Sequence, residues 1–126
     1  MNMRLSPVLG LCAALFLAAC SSGEAGSPGD PARGKQIFLT GGTSGIPCAT
    51  CHTLDGSTLV GPSLQGISTR AATRIPGESA QDYIRQSIEN PSAYLVDGYS
   101  DQMYKQYASQ LTPQDLSDVV AFLMTQ

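Results

Sequence analysis

Tryptophan is absent from this chain of 126 residues, histidine occurs once, at His52, and phenylalanine only three times. A small domain so poor in large aromatic side chains has little of its own with which to fill a core. Basic residues are also scarce, seven against ten acidic ones for a net charge of −3, which excludes the basic face that nucleic acid requires. No stretch alternates polar and apolar residues as a strand does, no internal repeat is present, and no apolar run reaches the roughly 20 residues of a membrane span.

What is present begins with a leader. Residues 1–19 combine a short polar start carrying Arg4, an apolar run from Val8, and a small-residue end, the layout of a secretory signal. Leu17-Ala18-Ala19-Cys20 resembles the lipobox of bacterial lipoproteins, in which the cysteine thiol takes a diacylglyceryl group and becomes the mature N-terminus. Residues 20–29 follow as a serine- and glycine-rich stretch with nothing to bury, read as a flexible tether. Without Arg4, six basic residues remain against ten acidic ones, a net charge of about −4. Cys12 leaves with the signal and Cys20 is used for lipid, so Cys48 and Cys51 are the thiols left to the folded part.

The folded region, residues 30–126, opens with Asp30-Pro31, an N-cap and a proline suited to the first helical position. Gly34, Ile37 and Phe38 share a face, and Thr40-Gly41-Gly42 closes the helix. Residues 42–74 show no sustained period and are expected to be mostly loop, with a short turn after Cys51. So long an irregular stretch in a small domain points to function or to an organising ligand. A second helix starts at Ser79 with Asp82 three positions on, carries Tyr83, Ile84 and Ile88 on one side, and stops at Asn90-Pro91. A third begins at Thr112-Pro113, with Asp115 completing a capping box and Leu116, Val119, Val120 and Leu123 at helical spacing. The class is all-α.

Cys48-Ala49-Thr50-Cys51-His52 gathers the chemistry. A closed zinc site needs four ligands, and no Cys or His beyond these three remains in the mature chain. A redox dithiol belongs after a strand in a βαβ setting, and strand signals are missing. The third reading uses all three residues. Two thiols three positions apart can each add to a vinyl group at a porphyrin edge, leaving the next residue's imidazole beneath the iron, and C-x-x-C-H is the c-type haem signature. The secretory leader agrees with it independently, because that attachment takes place outside the bacterial cytoplasm. Gly41 to Gly45 lacks the Gly-Lys-Ser/Thr ending of a phosphate loop and serves as a lead into this motif.

From Asp30 to Gln126 the chain resembles the small class I monohaem c-type cytochromes. The resemblance rests on Asp30-Pro31 with Gly34 and Phe38, the CATCH motif, Gly61-Pro62-Ser63-Leu64, the segment from Glu89 to Tyr99, Met103, and the final helix. It implies an all-α, cytochrome c-like fold wrapped around one covalently attached haem c, with Gly34 allowing the first and last helices to cross closely and Phe38 meeting Phe122. It also implies His52 as one axial ligand, the carbonyl of Pro62 as acceptor for the His52 Nδ1–H, and Met103 as the second axial ligand. Met124 is assigned to packing, and the alternatives to Met103 are Lys105 as ligand or an open site on that face of the iron. The proline that commonly follows this methionine is Tyr104 here, which implies a loop without a backbone lock and a labile iron–sulfur bond.

Functionally the resemblance implies one-electron transfer rather than catalysis. The partners expected are redox proteins or a membrane respiratory or photosynthetic complex, of which alternative complex III and some terminal oxidases contain monohaem lipoprotein subunits. The expected location is outside the cytoplasm, on the periplasmic side or the cell surface, held to the membrane by the lipid on Cys20. A haem sensor or peroxidase with a displaceable Met103 is the alternative, although no distal histidine exists to serve it. Burial of the porphyrin also accounts for the thin core, so the apoprotein is expected not to fold.

Overall fold

The computed structural model describes residues 27–126; the leader, Cys20 and most of the tether lie outside them. Five helices form in chain order, α1 Pro31–Thr40, α2 Ile67–Ala71, α3 Ala80–Glu89, α4 Tyr107–Gln110 and α5 Pro113–Leu123. Single 3-10 turns stand at Gly42–Ser44 and Cys48–Thr50, and no strand occurs among the described residues. None of these helices is long and apolar enough to cross a membrane.

The three expected helices form where their caps place them. Asp30 accepts from the backbone N–H of Ala32 and Arg33, and Gly41 ends α1 in the left-handed region at φ 87°, where a Cβ would be strained. Ser79 caps α3 through the N–H of Asp82, and Thr112 caps α5 through that of Asp115. The sequence reading differs from the structure between residues 42 and 74, where α2 and both 3-10 turns form, and at α4. These segments are one turn or little more, too short for an apolar period to register. The expected turn lies within the motif, at Cys48–Thr50, rather than after Cys51.

The core sits where α1, α3 and α5 meet. Ile37 and Phe38 of α1, Tyr83, Ile84 and Ile88 of α3, and Leu116, Val119, Val120, Phe122 and Leu123 of α5 are all buried. α1 and α5 cross so closely that a Cβ on Gly34 would lie 2.7 Å from the Cβ of Phe122. The Phe38 and Phe122 rings pack beside this crossing with centroids 5.6 Å apart.

A polar clasp also joins these helices. The Arg33 guanidinium of α1 pairs with both Asp115 and Asp118 of α5, whose side chains are only 1% and 0% exposed. Asp118 further accepts from the N–H of Asp30 at 2.8 Å and from Gln114 at 2.7 Å, while the Thr43 hydroxyl lies 2.7 Å from the Asp115 carboxylate. Asp115 therefore does not turn back to complete a capping box. Its carboxylate is spent on Arg33 and Thr43, and the N–H of Thr112 donates instead to the Thr43 hydroxyl at 3.3 Å. Packing begins just before the expected boundary, since Gly29 lies against Ser117 and Ala121 of α5.

Candidate functional site

The motif is wound into one turn. Pro47 enters it in extended conformation, and the N–H groups of Cys51 and His52 both donate to the Cys48 carbonyl, at 3.1 and 3.0 Å. Cys48, Cys51 and His52 thereby face one cavity. Residues 61–64 are drawn alongside by Gly61 N–H to the Cys51 carbonyl at 2.9 Å and Leu64 N–H to the Thr53 carbonyl at 2.7 Å.

That pairing brings the Pro62 carbonyl to 2.8 Å from His52 Nδ1. A carbonyl can only accept, so Nδ1 carries the hydrogen and Nε2 keeps its lone pair for a metal. Burial pulls the imidazole below its usual pKa, opposed by the Pro62 bond, which also favours the neutral ring that a metal requires. Gly61 lies flat against this ring, and a Cβ there would stand 2.5 Å from Cε1.

Cys48 and Cys51 form no disulfide, and burial pushes the Cys48 thiol up to about 11. A redox dithiol needs the opposite shift. Among the described residues no group of three or more His, Cys, Asp or Glu side chains could hold a metal ion. The zinc and dithiol readings thus gain nothing from the geometry.

The cavity wall is mostly apolar, with Ile67, Ile84, Ile88, Val119 and Leu123 prominent, and all five tyrosines of the chain line it. Tyr83 and Tyr94 pack edge to face at 5.6 Å, as do Tyr104 and Tyr107 at 5.1 Å. Burial pushes the Tyr107 phenol up to about 12, and its hydroxyl donates to the Ile46 carbonyl at 3.1 Å. Two arginines share this wall. Arg70 is occupied by the carbonyls of Ser63 and Gln65, whereas Arg74 has a buried Nε with no partner. An apolar cavity with an unpartnered guanidinium nitrogen suits a ligand that is flat and apolar over its body and anionic at one edge. Haem, with its two propionates, has that form, and the two thiols and one imidazole are groups that could hold it.

The Cytochrome c family model matches residues 31–126. The chain belongs to the cytochrome c family. No curated protein matches it. As a c-type cytochrome it binds haem c covalently and works in electron transfer, and its strand-free described region agrees with the all-α fold of that family.

Within the cytochrome the methionines are separated by position. Met103 is half-buried and lines the cavity with Cys48, Cys51, His52 and Pro62. Met124 is 37% exposed and lies in a surface groove with Pro28, Gly29 and Arg85. Lys105 does not line the cavity, since its ammonium is held by Asp101 and Ser92. Cys20 lies outside the described residues. Sequence reasoning missed Arg74 and the shared placement of the tyrosines. The one available signal was that a chain without tryptophan puts most of its few aromatic residues into tyrosine.

Proposed function

We propose that this cytochrome is a class I, single-haem, one-electron carrier tethered to a membrane by lipid on Cys20, with His52 and Met103 as the axial ligands of the iron. The observation that carries the reading is the His52–Pro62 hydrogen bond of 2.8 Å, which leaves Nε2 as a free donor in a cavity that Met103 also lines. One C-x-x-C-H motif in the chain supports one haem. An iron taken on both faces by protein has no vacant position for dioxygen or peroxide. Its chemistry is to gain and lose one electron, at the comparatively high potential that a neutral thioether opposite imidazole favours.

Electrons then cross at the porphyrin edge. Val60 and Leu95 line the cavity while remaining 57% and 46% exposed, and Leu59 beside them is also exposed. Lys105 nearby is neutralised by Asp101. Such a rim favours a partner with an apolar docking face over one steered by charge. A lipid tether compensates by confining carrier and partner, which raises their effective concentration. Residues 28 and 29 lie in a groove whose residues are not among those lining the cavity. The carrier serves either as a local shuttle or as a subunit of a respiratory or photosynthetic complex outside the cytoplasm.

The test is expression of the full chain in a bacterium that matures c-type cytochromes. The proposal expects one porphyrin's mass on the peptide containing Cys48 and Cys51, the near-infrared sulfur-to-iron charge-transfer band in the ferric protein, and release from the membrane fraction by Cys20→Ala. Absence of the added mass or of the band overturns the haem and ligand assignments, and retention of Cys20→Ala in the membrane overturns the anchor.

A further inference from the structure

The backbone around Met103 is weakly held. Met103 lies in no helix and exchanges no backbone hydrogen bond within the described residues, Tyr104 stands at the entry to the turn at residues 105 and 106, and no proline follows Met103 to fix the chain direction. A thioether carried on such a segment swings readily unless a side chain fixes it. Tyr104 supplies that fixture. Its ring is half-buried and packs edge to face on Tyr107, with centroids 5.1 Å apart and planes at 82°. Tyr107 is itself buried and bonded by its hydroxyl to the Ile46 carbonyl at 3.1 Å. Ile46 stands two residues before Cys48, so the chain of contacts runs from the methionine segment to the start of the attachment motif.

We propose that Tyr104 is a positioning residue for Met103, and that the Tyr104–Tyr107 pair does through side chains what a proline after the methionine would do through the backbone. The proposal rests on the assignment of Met103 as an iron ligand. It opposes the expectation, drawn from the missing proline, of a loosely held sulfur. Edge-to-face aromatic packing adds stabilisation beyond area burial, and here that stabilisation falls on the residue bonded to the ligand.

The experiment uses the ferric, full-length holoprotein and its variants, with imidazole as a competing ligand followed through the sulfur-to-iron charge-transfer band. Tyr104→Ala is expected to bind imidazole about tenfold more tightly than the wild type, the equivalent of one aromatic pair. Tyr104→Phe keeps the ring and is expected to stay within about twofold. Tyr107→Phe keeps the ring pair and loses the bond to Ile46, and is expected to bind imidazole about fivefold more tightly. A merely structural tyrosine would lower the melting temperature without moving imidazole affinity. Tyr104→Ala and Tyr107→Phe both binding imidazole within about twofold of the wild type would overturn the positioning role while leaving Met103 as ligand. A wild-type band that survives Met103→Ala would overturn the ligand assignment, and the positioning role with it.

Discussion

Gly34 of α1 and Asp118 of α5 meet backbone to backbone, and a Cβ at position 34 would fall far inside van der Waals contact distance of the Asp118 carbonyl oxygen. The same Cβ, whose position the backbone fixes, would also stand 2.7 Å from the Cβ of Phe122. Gly34→Ala is therefore expected to destabilise the holoprotein by about 2 kcal/mol through forced separation of the helices. Denaturant unfolding followed at the haem absorption checks this, and an unchanged midpoint would contradict it.

Burial pushes the Asp115 carboxyl up, but bonds from the Thr43 hydroxyl and backbone and then from Arg33 outweigh it and hold the group below its ordinary range. At Asp118 burial is likewise outweighed by the Asp30 N–H, Gln114 and Arg33. Because these folded values lie below the unfolded ones, the stabilisation is complete above about pH 4 and disappears as pH falls through the folded values. Melting temperature is expected to fall steeply below about pH 4, and Asp118→Asn to flatten part of that fall while costing about 2 kcal/mol at neutral pH. A variant that melts in parallel with the wild type across this range would remove the clasp from the account.

Gly61→Ala places a methyl group 2.5 Å from His52 Cε1, forcing the ring to tilt or the 61–64 segment to withdraw. Either movement weakens the bond that Pro62 makes to Nδ1. The expected result is a lower yield of mature holoprotein and displaced paramagnetically shifted His52 resonances in the NMR spectrum of the ferric form. Resonances at their wild-type positions would show that the ring is held by something other than Pro62.

Removal of the cofactor tests the cavity. Burying several hundred Å² of porphyrin contributes on the order of 10 kcal/mol, comparable with the whole stability of a small domain. The Cys48→Ala, Cys51→Ala variant is expected to lack a cooperative thermal transition by circular dichroism. A sharp transition without haem would show that the helices sustain themselves.

The helix ends at Asp30, Gly41, Ser79, Asn90 and Thr112 could be read from the sequence because a cap is a local event, decided by one side chain and its neighbours. The motif Cys48 to His52 was legible for the same reason. Asp115 was misjudged because its true partner, Arg33, lies 82 positions away, and the burial of Asp118 depends on the same distant contact. Arg74 and the tyrosines could not be placed for a similar reason. Their common feature is a cavity wall assembled from segments that carry no shared periodicity, so only the folded chain brings them together.

The α1–α5 clasp also orders events in time. Arg33 meets Asp118 only after 85 further positions of chain are available. In a polypeptide made N-terminus first, the segment holding Cys48 and Cys51 is complete while the first helix still waits for the last. The opening helix therefore cannot lock until the closing one has been made, and the last dozen residues decide when the domain shuts.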